Sequence, residues 1–296
     1  MPERVALVAP AKVNLYLAVG ARTDDGYHEL VTVFQALDDR LSDTVEVEAA
    51  DRFSIEMRPD AGVPPSENLA LKAAKMLSEA TGASLPVRIA IEKRIPAGGG
   101  LGGASADAAA VLVGASVLWG VDPRSEVVLR CARSLGADVP FFLGGGTALY
   151  AGKGDVRVRD LPTPEMHLVV ITAGEPVPTG AAYALHDRLL SPPAPGPEPL
   201  LRALQAGDVQ GAAGLLHNDL AEAAKALVPS VGEVEAWLSS LPGVLGAAVT
   251  GSGSCVFGLC ASAVAAERVE SDARAAGWWA RSCGASPEGV RVVSTV

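Results

Sequence analysis

Five of the six residues from Gly98 to Gly103 are glycine, within the run 94-RIPAGGGLGGASADAAA-110. Ordering a glycine costs about 0.5–1 kcal/mol more than ordering an alanine in a regular element. The alanine-rich stretch that follows at once is strongly helix-forming. So much bare backbone before a helix implies that something approaches that backbone closely. A glycine-rich turn at a helix N-terminus lets a phosphate reach unobstructed N–H groups and meet the positive end of the helix dipole. Ser105 starts the helical pattern, either as an N-cap or as a hydroxyl ligand of a phosphate or magnesium ion. Asp107, in the first turn, reads as a complement to the dipole.

The type of loop is narrowed by what is missing. The P-loop pattern fails because Ala104 stands where its lysine belongs. Gly98, Gly100 and Gly103 match the dinucleotide spacing. However, Glu92-Lys93-Arg94-Ile95-Pro96 makes a poor buried strand before it, and Asp122 ends a helix where an acidic residue should end a strand. A purely structural turn needs fewer glycines.

The 296 residues suffice for one large domain or two ordinary ones, and 49% hydrophobic content allows a sizeable core. With 24 basic and 34 acidic residues the net charge is −10, which argues against a nucleic-acid face but not against a small anionic ligand. The N-terminal apolar stretch is broken by Pro10 and Lys12, so neither a signal peptide nor a membrane span is expected. Cys131, Cys255, Cys260 and Cys283 have no metal or redox spacing and read as buried, reduced thiols of a cytoplasmic protein.

Periodicity predicts two strands within residues 5–19, divided at Pro10-Ala11-Lys12, then a turn at 23–26 and strands at 31–37 and 44–47. A helix over 66–80 with Ser66 as cap leads to a strand at 87–93 and to the glycine loop. The helix from Ser105 ends at Asp122-Pro123, and another follows with Val128, Cys131, Ala132 and Leu135 as its stripe. In the second half, strands are expected at 167–171, 244–250, 255–260 and 290–294, and helices at 231–241 and 263–276. The run 191-SPPAPGPEP-199 reads as a polyproline-like loop. The class is α+β, divided within 152–161, giving lobes 1–156 and 157–296.

Two residues stand out for chemistry. Asp138, in Gly136-Ala137-Asp138-Val139-Pro140, fits a turn aspartate and a general base about equally well. Lys12 interrupts an apolar strand region, where stability seldom calls for a lysine. It also fits an exposed edge position beside Pro10. Asn14 would share its strand face.

The segments 9-APAKVNLYL-17, 96-PAGGGLGGASA-106 and 249-VTGSGSCVFGL-259 stand in order, and together they resemble the three motifs of the GHMP kinases. Within that family, 24-DDGYHEL-30, 136-GADVPFFL-143, 176-PVPTGAAY-183 and 217-HNDL-220 are similar to the branch that phosphorylates the 2-hydroxyl of cytidine diphosphate methylerythritol in non-mevalonate isoprenoid synthesis. One departure is Ala104-Ser105-Ala106-Asp107, where the family often has Gly-Ser-Ser-Asn.

The resemblance implies a two-lobed kinase, its N-terminal lobe like ribosomal protein S5 domain 2 and its C-terminal lobe ferredoxin-like. ATP and Mg2+ are the implied cofactors. Asp138 becomes the catalytic base and Lys12 its partner, stabilising the substrate oxygen as the proton leaves. ATP would be held by Pro96, Ala97, Gly98, Gly99, Gly100, Leu101, Gly102, Gly103, Ala104, Ser105 and Ala106, with Asn68, Lys93, Gly251, Ser252 and Gly253 nearby and Ser105 on the metal. Asn14 and Thr179 would touch the substrate. Tyr27 and Tyr183 would stack on the cytosine from two sides, each base–aromatic stack contributing roughly 1–3 kcal/mol, and His28 would bond its edge. A cytoplasmic monomer or weak homodimer, without nucleic-acid or membrane partners, is the implied form. A homoserine or sugar kinase of the same family, or a nucleotide-binding protein without catalysis, remain as alternatives.

Overall fold

Pro10 and Ala11 divide the first apolar stretch into β1 (Arg4–Pro10) and β2 (Lys12–Arg22), which enter different sheets. The computed structural model describes residues 2–24, 26–60, 62–189 and 194–296. Asp25, in the expected turn, and residues 191–193 of the proline-rich run lie outside the described residues.

Next come β3 (His28–Ala36), β4 (Ser42–Ala49) and β5 (Ser54–Arg58). Helix α1 (Leu69–Thr81) begins later than expected and is capped by Asn68, not Ser66. The carbonyls of Pro64 and Pro65 take the N–H groups of Glu67 and Asn68, so a turn occupies the place of a first helical turn. The side-chain oxygen of Asn68 then accepts from the N–H groups of Ala70 and Leu71.

After β6 (Val87–Glu92) comes the glycine loop and then α2 (Gly103–Trp119), which starts two residues before Ser105. Then follow α3 (Glu126–Leu135), α4 (Val139–Gly144), β7 (Thr147–Ala151) and β8 (Val156–Leu161). The second half holds β9 (His167–Thr172), α5 (Thr179–His186), α6 (Glu198–Gln205), α7 (Val209–Ala213), β10 (His217–Asn218), α8 (Ala221–Leu227) and α9 (Ser230–Ser240). It ends with β11 (Val244–Val249), β12 (Cys255–Cys260), α10 (Ala263–Ala275), β13 (Trp279–Gly284) and β14 (Arg291–Thr295).

Three sheets form, in the orders β14-β1-β4-β6-β5, β10-β2-β3-β7-β8 and β11-β12-β9-β13. The first covers α2, which is buried nearly all round. Leu7, Val47 and Ile89 of the sheet pack with Ala109, Val111 and Leu112 of the helix, and α1, α3 and α4 close over it. The third sheet is ferredoxin-like, β9-helices-β11-β12-α10-β13, with all its pairs antiparallel. Its alternating residues enter two cores. Leu168, Val170 and Phe257 face Val13, Leu15 and Val33 of the second sheet. Val169, Ile171 and Val256 face α9 and α10 through Val234, Leu238 and Val269.

The two-lobed α+β architecture is therefore as expected, but the lobes are threaded through each other. Strand β8 pairs with β7, so residues past 157 still belong to the second sheet. From the C-terminal half, β10 joins β2 and β14 joins β1.

Candidate active site

The glycine loop lies where the lobes touch. Gly98, Gly100 and Gly102 all have positive φ, near +70° to +79°, so the chain reverses at alternate residues. A Cβ at Gly100 would overlap the carbonyl oxygen of Thr250, and one at Gly102 would stand 2.6 Å from the Phe142 ring. The glycines thus answer two needs: close approach of the second lobe and open backbone. Gly102 is the N-cap of α2 and no side chain caps that end. The first N–H groups of the helix face a cavity of about 330 Å3 lined by Asn68, Lys93, Ser105 and the loop from Pro96 to Ala104. Ala106 does not reach this cavity; its methyl is buried in the core beneath α2, because it falls on the inward face of the first turn.

A second cavity of about 280 Å3 lies across Gly98, Gly100 and Gly102, which wall both spaces. Lys12 opens β2 at its floor, 3% exposed. Its ammonium donates to Asn14 Oδ1 at 2.8 Å and lies 3.5 Å from Asp138 Oδ2 and 5.0 Å from the centre of the Phe34 ring. Burial lowers the Lys12 pKa, and the Asp138 charge opposes that shift. Asp138 is the N-cap residue of α4, but its carboxylate makes no capping bond. It is a half-open group pointed at a buried cation.

Asn14 is a junction between the lobes. Its Oδ1 also accepts from Thr250 Oγ1 at 3.1 Å and Gly251 N at 3.0 Å, and its Nδ2 donates to Thr32 Oγ1 at 2.8 Å. Gly251 and Ser252 line this second cavity rather than the first, and Ser252 Oγ lies 3.0 Å from Thr179 Oγ1. Gly253 lines neither; it packs toward Val177, Ala224 and Val249.

The third cavity, about 440 Å3, shares Leu30, Lys153, Thr179 and Tyr183 with the second. Here Tyr27 is 59% exposed, with the Lys153 ammonium 3.9 Å above its ring centre. Tyr183 stacks on His28, with centroids 5.2 Å apart and planes 24° from parallel. Asp187 Oδ1 binds His28 Nε2 at 2.7 Å and fixes the ring's orientation. Burial and the charge of Asp138 push the Tyr183 phenol up to about 12.

Several participants escape a reading of the sequence. Lys153 appears only as part of a glycine break, and Asp187 has no motif around it. Asn218 sits in the quoted HNDL segment, where its Nδ2 clasps the carbonyls of Val249 and Gly251 at 2.7 and 2.8 Å. Asp107, assigned to the helix dipole, is buried and bonded to Lys93 at 2.6 Å. Its Oδ1 has no partner. Burial raises its pKa to about 7, with Lys93 opposing the shift and Asp43 adding to it. Among the described residues, no group of three or more His, Cys, Asp or Glu side chains is arranged to hold a metal ion. No helix among them is long and apolar enough to cross a membrane.

Residues 68–146 match the GHMP kinases N terminal domain, and residues 200–277 match the GHMP kinases C terminal domain. The 4-diphosphocytidyl-2-C-methyl-D-erythritol kinase of Rhodococcus jostii (strain RHA1) is 45% identical over 286 residues, covering 94% of this chain and 90% of the relative. That of Mycobacterium avium (strain 104) is 42% identical over 283 residues, covering 92% and 88%. A crystal structure of 4-(cytidine 5'-diphospho)-2C-methyl-D-erythritol kinase superposes with a TM-score of 0.78 at 38% identity, covering 95% of this chain and all of that one. A homoserine kinase from Cytophaga hutchinsonii shares the fold at 20% identity and a TM-score of 0.73.

Proposed function

The chain belongs to the GHMP kinases, within the 4-diphosphocytidyl-2-C-methyl-D-erythritol kinases, and from that membership we propose that it transfers the γ-phosphoryl group of ATP to the 2-hydroxyl of 4-diphosphocytidyl-2-C-methyl-D-erythritol on the non-mevalonate route to isoprenoid precursors. The observation that carries this reading is the Lys12–Asp138 pair, 3.5 Å apart in the middle of three adjoining cavities.

The open N-terminus of α2 and the glycine loop suit the triphosphate. Tyr27, His28 and Tyr183 suit the cytosine, with Asp187 holding His28 in orientation. Lys153 and Thr179, on the wall common to the second and third cavities, suit the diphosphate between base and polyol. The substrate hydroxyl then lies against Asp138. As its oxygen bonds to the γ-phosphorus, Asp138 takes the proton, the bond from the γ-phosphorus to the β,γ-bridging oxygen breaks, and ADP leaves. Lys12 offers its ammonium to the oxygen that is losing its proton. Asn14, whose Oδ1 is already filled by three donors, serves by fixing Lys12 against the Thr250–Gly251 turn.

Magnesium usually keeps several waters and leans on phosphate oxygens. A single hydroxyl, Ser105, in the first turn of α2 fits an ion held mainly by the nucleotide. When bound it would neutralise charge on the transferring group. The protein is proposed to work in the cytoplasm on this small molecule alone, as a monomer or weak homodimer without a nucleic-acid partner.

ADP release tests the reading. With Mg-ATP it should appear with the cytidine substrate and not with mevalonate, homoserine or galactose, and Asp138→Asn should lower kcat by about 100-fold or more. Release with another alcohol would retain a kinase but refute the cytosine site. No release with any of them would point to nucleotide binding without catalysis.

A further inference from the structure

Lys93 lines the cavity assigned to the nucleotide, at the foot of the glycine loop. Its ammonium is committed elsewhere. It bonds Asp43 Oδ2 and, at 2.6 Å, Asp107 Oδ2. Asp43, on β4, is fully buried, and its other oxygen accepts from the N–H groups of Arg94 and Ile95 at 2.5 and 2.9 Å. Those two residues lead into the glycine loop. Asp107 is the fifth residue of α2, the helix that leads out of it.

We propose that Asp43, Lys93 and Asp107 form a buried tie that fixes both ends of the phosphate-binding loop, and that Lys93 is a positioning residue rather than a phosphate ligand. The loop itself cannot supply this rigidity. Its glycines have more accessible conformations than any other residue type, and three of them hold positive φ. Phosphate binding by backbone N–H groups requires those groups to converge before the ligand arrives. One cation bridging two carboxylates on separate elements holds β4, the end of β6 and the start of α2 at fixed separation. The other groups packed around Asp107 cannot do so. The faces of α1 and α4 toward α2 are apolar, through Ala73, Leu77, Val139 and Phe142. Glu67, on the same cavity, is exposed. With two carboxylates against it, the Lys93 ammonium has little net attraction left for a triphosphate.

The proposal rests on the reading of that cavity as the nucleotide site, so the experiment measures nucleotide binding by itself. Equilibrium titration with a fluorescent ATP analogue is run on the full chain, on Lys93→Met, on Asp107→Ala and on the double variant, with KM for both substrates and Tm alongside. A tie requires that each single variant weaken nucleotide binding by a similar factor, about tenfold. The double variant should be no weaker than the weaker single, because either change already cuts the tie. KM for the cytidine substrate should not move, and Asp107→Asn, which can still accept from Lys93, should restore most of the affinity. If Lys93→Met weakens binding while Asp107→Ala strengthens it or leaves it unchanged, Lys93 is a direct phosphate ligand and the proposal is wrong. If Tm falls in every variant but affinity well below the transition is unchanged, the cluster is only structural and the proposal again fails. Should alanine at 107 prevent folding, the same non-additivity is required of Lys93→Met with Asp107→Asn. Absence of nucleotide binding by the unaltered chain would instead refute the assignment of the cavity.

Discussion

Lys12 is where stability and chemistry pull apart. Burial depresses its pKa, and only part of that is returned by Asp138. A folded-state pKa below the unfolded value means that the neutral lysine is preferred in the fold. The group therefore favours folding only above the unfolded value of about 10.5, and that contribution is lost as pH falls through the folded pKa. At neutral pH the charged lysine is carried at a cost. Lys12→Met should lower kcat on the order of 100-fold while leaving Tm unchanged or a few degrees higher, measured by calorimetry at pH 7. The alkaline limb of kcat/KM in the unaltered protein should also start below the ordinary lysine range. A large fall in Tm would mean that Lys12 is there for the fold. The sequence exposed this residue because a lysine in an apolar strand is conspicuous. It could not expose Asp187 or Lys153, whose roles depend on partners 159 residues away in one case and on a ring stacked beneath an ammonium in the other.

Elements read well from periodicity where one face is buried and poorly where the signal is a boundary. Helices α9 and α10 and strands β11 and β12 lie within a residue or so of expectation. Strand β10 has two residues and no period to detect. The composition of the proline-rich run predicts loop throughout, yet Pro197 caps α6 and Pro199 lies in its first turn. Proline's fixed φ and missing donor suit that position. The open backbone of the glycine loop is legible in the sequence, but its contact with the second lobe is not. That contact makes Gly100→Ala informative. The substitution brings a residue to a φ of +79° and sets a methyl into the Thr250 carbonyl. Strain and overlap together should cost roughly 2–4 kcal/mol, seen as a lower urea midpoint, with ATP affinity falling as the turn at Gly251 is displaced. An unchanged midpoint would show that the lobes part easily at this seam.

At the scale of the whole molecule, the C-terminal segment supports the helix that carries Asp138 at its head. After β13, Ala285 bridges Leu37, and Ser286 N donates to Ala36 O at 2.8 Å. Gly289 packs directly on Gly145, and Val290 N donates to Phe142 O at 2.7 Å, both against α4, which has Asp138 at its head. Only then does β14 pair with β1. A division into residues 1–156 and 157–296, natural from the order of elements along the chain, cannot foresee this return, because strand pairing across the full length leaves no local pattern. Two truncations separate the two contributions. A chain ending at Val290 loses β14 alone, exposing β1 as a new edge. It should lose on the order of 3 kcal/mol of stability, with kcat nearly unchanged well below the transition. A chain ending at Ser286 also loses the contacts on Phe142 and Gly145, so α4 is free to shift. Its kcat should fall about tenfold further at the same temperature, since small displacements of a catalytic group carry costs of that size or larger. Equal kcat in the two chains, assayed where both are folded, would show that α4 holds Asp138 in place without help from the C-terminal segment.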